Sequence, residues 1–217
     1  DNRNINMTIK GKLSAAPVLE SQAQVRILRH LWKTKGEWSG REIARQVGLS
    51  ATHCHLALKE LEARGLVFLR PVSKVHLYRI NEDNYMVRRV FSPFFEAEKS
   101  IPGEIDKLIK KTLVEKSSSI EILSLVLFGS MARQTERLAS DLDLLVVVPS
   151  KAAKTELEPN LDELGRLLSR QFSIPFSPYV QTLAEIREKH HRKLPLVENI
   201  LKQGRCLFGK PLKELLS

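Results

Sequence analysis

Two short runs rich in aliphatic residues, 122–128 and 142–148, constrain the fold of this chain more than any other feature. Each has the length of a single β-strand and falls far below the roughly 18 apolar residues that a membrane span needs. Segments with helical periodicity alternate with strand-like segments around them. The sequence therefore predicts a separate α/β domain from about residue 100 onward.

The composition narrows the class of protein. The chain has 217 residues, of which 42% are apolar, so it can form two small domains with real cores. Its two cysteines, Cys54 and Cys206, lie far apart and in no CxxC motif, which gives neither a disulfide framework nor a zinc site. No basic start leads into an apolar signal stretch. We therefore expect a soluble cytoplasmic protein without a membrane segment.

The net charge of +10 is unevenly distributed. Residues 1–90 hold 16 Lys and Arg against 8 Asp and Glu, whereas residues 91–217 hold 19 against 17. A basic region of this size is typical of nucleic-acid binding, because each phosphate that it neutralises releases condensed counterions. Surface Lys and Arg that serve only solubility are the alternative explanation.

The N-terminal part shows three helical patterns followed by a hairpin. Apolar residues recur at helical spacing after Ser21 and again after Ser39, and both serines are suitable N-caps. Gly48 predicts a tight turn before a third helix, which we expect over about 51–64. Two β-rich runs follow, 66–70 and 75–80, separated by Pro-Val-Ser-Lys.

The stretch REIARQVGLSATHCHLALKELEARGLV resembles the winged helix-turn-helix family of DNA-binding domains, with the likeness covering about residues 20–82. The resemblance implies a recognition helix in the major groove and a basic wing near the DNA backbone. Thr52, His53, Leu56 and Lys59 would then contact base edges and phosphates, with Leu56 against a thymine methyl. Arg70 and Lys74 in the wing would touch phosphates. A winged helix that contacts another protein remains the alternative.

The run His53-Cys54-His55 also suggests a metal site, which we do not favour. Adjacent residues of a helix point about 100° apart, and Cys54 belongs to the apolar stripe of the third helix.

A second motif lies between the two aliphatic runs. Gly129 and Ser130 end the first run in a turn where backbone N–H groups can hold an anion. Asp141 and Asp143 open the second run, and on a strand they fall on one face about 6–7 Å apart. Two carboxylates beside a phosphate-binding turn suit a triphosphate with Mg²⁺. A simple turn followed by an exposed strand edge is the structural alternative.

Taken together, GSMARQTERLASDLDLLV resembles the signature of the nucleotidyltransferase superfamily, especially its minimal prokaryotic members and the antibiotic nucleotidyltransferases related to DNA polymerase β. The likeness covers about residues 103–210. It implies that Gly129 and Ser130 hold the β- and γ-phosphates, with Arg133 near the phosphates or stabilising the short helix. It also implies that Asp141 and Asp143 ligate Mg²⁺ for attack of an acceptor hydroxyl on the α-phosphorus of an NTP.

Two features depart from this family pattern. Gln134 stands where a glycine is usual, which is a mild change. More seriously, active members commonly supply a third carboxylate from a later strand, and the candidate strand 176–182 contains no Asp or Glu. The acceptor would lose its natural base. Asp162 and Glu185 are candidate substitutes, although their spacing does not show that they act as such.

The sequence thus predicts an N-terminal extension (1–20), a winged helix (21–82), a linker (83–102) and a nucleotidyltransferase-like domain (103–217) with a mixed sheet flanked by helices. We expect a DNA-binding protein that also binds Mg²⁺ and NTP, with weak nucleotidyl transfer. The alternative is a catalytically silent transcriptional regulator that uses its second domain as a nucleotide sensor or for dimerisation. Duplex DNA, NTP and a second copy of the chain are the expected partners.

Overall fold

A computed structural model describes residues 21–116, 120–129 and 141–217. The chain divides into two compact units between Ser100 and Ile101. The predicted fold class is confirmed, because a winged helix precedes a mixed sheet that is flanked by helices.

The first unit contains three helices and a three-stranded antiparallel sheet in the order β1-β3-β2. Its elements are α1 (Gln22–Thr34), β1 (Trp38–Ser39), α2 (Gly40–Val47), α3 (Ala51–Ala63), β2 (Val67–Val72) and β3 (Val75–Ile80). The β2–β3 hairpin is the wing, and its turn consists of Ser73 and Lys74.

Serine side chains fix where the three helices begin. The hydroxyls of Ser21, Ser39 and Ser50 accept hydrogen bonds from backbone N–H groups of the first turns of α1, α2 and α3. Gly48 ends α2 with a φ of 67°, a left-handed conformation that glycine adopts without strain. The caps at Ser21 and Ser39 and the turn at Gly48 agree with the sequence prediction.

The segment predicted as a linker, 83–102, is helical over most of its length. A π-helical turn (Val87–Phe91) leads into α4 (Ser92–Lys110). Phe91 and Phe95 are buried in the core of the first unit, where the Phe95 ring centroid lies 5.5 Å from that of Trp32. Arg29 of α1 also donates two hydrogen bonds to the Glu98 carboxylate. The segment contributes to this core because its aromatic residues recur at helical spacing.

The second unit is a four-stranded mixed sheet in the order β6-β5-β4-β7. Strand β5 is antiparallel to β4 and parallel to β6, whereas β7 is antiparallel to β4. The elements after α4 are a π-helical turn (Lys111–Glu115), β4 (Ser124–Phe128), β5 (Leu142–Val148), α5 (Lys151–Phe172), β6 (Phe176–Thr182), α6 (Leu183–His191), α7 (Pro195–Gln203), β7 (Arg205–Gly209) and α8 (Leu212–Leu216).

Both faces of this sheet are covered by helices. Leu142, Leu144 and Val146 pack against the second half of α4 and against α5. Leu145 and Val147 point to the other face, where α6, α7 and α8 lie. The near-continuous aliphatic sequence of β5 reflects this burial on two sides.

We predict that Phe95→Ala lowers the free energy of unfolding of the first unit by about 3–5 kcal/mol, because it removes a ring that is only 2% exposed. Phe94→Ala is the matched control: the neighbouring ring is 42% exposed and should cost under about 1.5 kcal/mol. Urea unfolding of the full chain measures both changes. Equal losses for the two variants would contradict the placement of Phe95 in the core.

Candidate functional site

The predicted recognition helix α3 has one buried and one exposed face. Cys54, Ala57, Leu58 and Leu61 are buried, so Cys54 is a core residue. The residues predicted to contact DNA from this helix are all exposed, namely Thr52, His53, Leu56 and Lys59. Leu56 is 53% exposed, so its side chain is available for an apolar contact.

The two predicted phosphate contacts of the wing differ in their surroundings. Arg70 donates hydrogen bonds through Nε and Nη2 to the Glu37 carboxylate, and this pairing lowers the pKa of Glu37. The guanidinium charge is therefore already neutralised. Lys74 lies in the exposed turn of the wing and makes no ion pair with any described residue.

A surface groove of about 540 Å³ lies between the start of α2, α3 and the wing. Four basic side chains line it: Arg41, His55, Lys74 and His76. None of the described residues that line the groove is acidic. Sequence reasoning did not single out Arg41 and His76, because they belong to different elements and only the fold brings them together.

The second candidate site lies where β4 ends and β5 begins. Phe128 at the end of β4 is paired with Asp143 of β5, so Gly129 comes directly beside this aspartate. Gly129 has a φ of 75°, and a Cβ added there would overlap the Asp143 carboxylate. Glycine is therefore required for both the turn and the close approach.

Asp141 and Asp143 form a like-charged pair on one face of the sheet. Asp143 is half-buried, and its desolvation together with the negative charge of Asp141 raises the pKa of its carboxyl group. Asp141 is exposed and accepts a hydrogen bond of 3.3 Å from the Ser177 hydroxyl. No described Lys, Arg or His forms an ion pair with either carboxylate. Ser130 and Arg133, the other predicted nucleotide-binding residues, lie outside the described residues.

The strand predicted at 176–182, which could have carried a third carboxylate, is confirmed as β6. It pairs with β5 in parallel. Ser177 is paired with Asp143, and Tyr179 with Leu145, so these side chains share the face of the aspartates. The place beside Asp143 from which a third carboxylate could project is therefore filled by the hydroxyl of Ser177.

The structure does not bring the two suggested substitute bases to this place. Asp162 is exposed on α5, whose leucines pack on the opposite face of the sheet. Glu185 follows the far end of β6, where it accepts a hydrogen bond from the Thr182 backbone and pairs with Lys154. Five residues of strand separate Thr182 from Ser177, which is about 16 Å.

Lys189 is a further residue on this face that sequence reasoning missed. Its Nζ donates hydrogen bonds to the Tyr179 hydroxyl at 2.9 Å and to Gln181 Oε1 at 2.6 Å. No sequence motif signals these contacts, since they join a helix to alternate positions of a strand.

Comparison with protein families identifies both units. Residues 21–67 match the family of winged helix-turn-helix DNA-binding domains, and residues 107–212 match the polymerase beta nucleotidyltransferase family. These matches confirm the two resemblances predicted from the sequence, the first within residues 21–82 and the second within residues 103–217. A comparison with curated proteins finds no match.

Three solved structures show partial likeness. A homodimeric winged helix-turn-helix DNA-binding domain from Mycobacterium bovis is 25% identical, with a TM-score of 0.37, over 46% of this chain and 87% of that one. A toxin-antitoxin protein with AMP-PNP is 17% identical over 51% and 77%, with a TM-score of 0.33. TrmBL2, an archaeal chromatin protein, is 13% identical over 80% and 70%, with a TM-score of 0.25. These TM-scores are all low, so the family matches identify the domains.

None of the helices formed by the described residues is long and apolar enough to cross a membrane. Residues 21–116, 120–129 and 141–217 also contain no group of three or more His, Cys, Asp or Glu side chains that could hold a metal ion.

We predict that Asp143→Asn raises the melting temperature by a few °C at pH 7.5 in the presence of EDTA. A carboxyl group whose pKa is raised by folding disfavours the folded state once it ionises, so its removal stabilises at neutral pH. The gain should shrink as the pH falls through the raised pKa of Asp143 toward the pKa of the unfolded chain, because protonation removes the unfavourable charge. Asp162→Asn, on the exposed side of α5, should leave the melting temperature unchanged over this pH range; a pH-independent gain for Asp143→Asn would contradict the prediction.

Proposed function

We propose that the protein binds NTP with Mg²⁺ at Gly129, Ser130, Asp141 and Asp143, and binds duplex DNA through its winged helix. The observation that supports the nucleotide site most directly is the pair of aspartates beside Gly129, with which no described Lys, Arg or His forms an ion pair. A triphosphate next to two carboxylates is repelled until a divalent cation lies between them.

The donor set fits Mg²⁺, because it offers carboxylate oxygens and an open position for phosphate oxygens and water. Asp141 and Asp143 would hold the ion, and Gly129 leaves room for the nucleotide to approach the backbone. When bound, Mg²⁺ neutralises charge on the phosphates and polarises the α-phosphorus for attack.

Transfer of a nucleotidyl group should be weak or absent. The Ser177 hydroxyl stands where a carboxylate could accept the proton of an attacking hydroxyl, and serine is a far weaker base. This serine favours the second candidate function, a transcriptional regulator in which the nucleotide is sensed and the DNA-binding unit responds.

The experiment for the nucleotide site is titration calorimetry with ATP, GTP, CTP and UTP in the presence of Mg²⁺. We predict that Asp141→Asn/Asp143→Asn lowers the affinity for the preferred NTP by at least about tenfold, as loss of metal-supporting groups typically does. Asp162→Asn/Glu158→Gln removes the same charge from exposed positions of α5 and should leave the affinity unchanged. Equal NTP affinity with and without Mg²⁺ in all three proteins would overturn the proposal.

Catalysis can be tested by restoring the missing carboxylate. We predict that Ser177→Asp increases label transfer from radiolabelled NTP at least tenfold, since a positioned general base contributes about 10²–10⁴-fold. Ser177→Asn has a similar shape without the charge and should transfer no faster than wild type. Robust multiple-turnover transfer by the wild type would show that it possesses another base.

For DNA binding, we predict that the slope of log affinity against log salt falls by about 0.9 for each phosphate contact removed. Arg41→Gln and Lys74→Gln should each flatten the slope by about one unit for all sequences, because they line the basic groove. Lys33→Gln in α1 lies outside the groove and is the matched control. Fluorescence anisotropy with duplex DNA measures the slopes, and an unchanged slope in both groove variants would exclude the groove as the phosphate contact.

A further inference from the structure

Five consecutive basic residues lie at the end of α6 and directly after it, and we call them the basic turn: Lys189, His190, His191, Arg192 and Lys193. Its backbone is well defined. The Lys193 N–H donates to the His190 carbonyl at 2.8 Å, the Leu194 N–H donates to the Lys189 carbonyl at 3.1 Å, and Lys193 has a φ of 52°. These bonds close the helix and hold the basic turn in one conformation.

The basic turn is directed toward the aspartate end of the sheet. Glu185 begins α6 beside Thr182 at the far end of β6, whereas Lys189 contacts Tyr179 and Gln181 one helical turn later. Helix α6 therefore runs back along β6 toward Ser177, which is paired with Asp143. Lys189 therefore lies on the same face of the sheet as the two aspartates.

Much of the charge in the basic turn is not neutralised. Both hydrogen-bond acceptors of Lys189 are neutral, and Glu185, the acidic group that interacts with it at longer range, is already paired with Lys154. Within the described part of the chain, His191 and Lys193 form no ion pair.

The other two members of the basic turn each face a carboxylate. His190 lies 3.1 Å from Glu198, and Arg192 lies 3.5 Å from Glu188 in a pair whose side chains are both more than two-thirds exposed. Such an exposed pair contributes little and is easily exchanged for another anion. The turn therefore presents a net positive surface.

An open concavity of about 480 Å³ lies at the basic turn and is lined by His190, His191, Lys193 and Glu198. It is a shallow depression that is open to solvent.

Gly129 and the basic turn lie on opposite sides of β5, and the two aspartates lie between them at the start of β5. Gly129 follows β4, while the basic turn lies over β6, and two strand spacings correspond to about 10 Å. Phosphates of a bound NTP near Gly129 thus leave the basic turn available for a second anionic ligand.

We propose that the basic turn binds the phosphate backbone of a single-stranded nucleic acid, with Lys189 and Lys193 as its principal contacts, and brings the strand beside Asp141 and Asp143. This inference rests on the proposed function. It names the class of molecule that would lie next to the NTP as the acceptor of the nucleotidyl group. The open shape and the spread of charge around the helix end fit an extended polyanion better than a single phosphate group.

The test is fluorescence anisotropy with a labelled 12-nucleotide single strand of deoxythymidine. The full-length chain carries Arg41→Gln/Lys74→Gln throughout, so that the winged helix contributes little. In this background Lys189→Gln/Lys193→Gln should weaken binding about tenfold and reduce the salt slope by about 1.4, at about 0.7 for each single-strand phosphate contact.

The matched control is Lys151→Gln/Lys210→Gln, which removes the same charge from exposed positions at the opposite end of the same sheet. It should change the affinity less than twofold. Equal weakening by both double variants, or no weakening by either, would overturn the proposal. Competition by poly-glutamate as strong as that by the oligonucleotide would also overturn it and identify the surface as a docking site for acidic protein.

Calorimetry with ATP and Mg²⁺ on the same variants separates this proposal from the proposed function. Lys189→Gln/Lys193→Gln should leave ATP affinity unchanged, and a loss of ATP affinity would overturn the proposal by assigning the basic turn to the nucleotide itself. If the wild type binds no NTP but the strand-binding pattern is as expected, the nucleotide site fails and the strand site stands. Melting temperatures within about 2 °C of wild type show that the variants are folded.

Discussion

The half-buried Asp143 carboxylate packs directly against Gly129, which has no side chain to displace it. A second aspartate, Asp141, lies on the same face of the strand. Two like charges in this setting destabilise the fold unless a cation joins them. Neutral residues at these two positions would avoid that cost. Three features keep the two aspartates in place despite their repulsion. They are the register of β4 against β5, the conformation of Gly129 and the burial of the aliphatic residues behind Asp143.

The charged side chains at the two ends of the second unit's sheet are paired differently. At the far end of β6, Glu185 completes the cap of α6 and pairs with Lys154, so acid and base cancel there. Toward the near end, Asp141 and Asp143 lack a basic partner among the described residues, and the basic turn has more cationic groups than carboxylates. Unpaired charges of both signs thus lie on one face of the sheet, which is the arrangement that a ligand carrying both phosphates and a metal ion could use.

Local pattern predicted much of this structure. The strands at 142–148 and 176–182, the serine caps and the Gly48 turn follow from hydropathy and capping rules, and residues 141 and 143 share a face on any strand. Side-chain partners could not be predicted, because they depend on contacts between residues that are distant in sequence. Arg70 pairs with the Glu37 carboxylate, and Lys189 donates a hydrogen bond to the Tyr179 hydroxyl. The aromatic residues at 91 and 95 fall within the predicted linker, since sequence alone does not reveal which core they join.

The small net charge of the second unit does not weaken the case for polyanion binding there. At physiological salt the Debye length is about 8 Å, so a phosphate interacts with the charges close to it and hardly with the rest of the domain. A basic cluster within one helical turn therefore attracts an anion even when acidic residues elsewhere balance the total. The first unit can attract DNA through its overall charge, whereas the second must rely on where its few unpaired cations are placed. The position of these cationic groups relative to the aspartates therefore matters more for binding by the second unit than its net charge does.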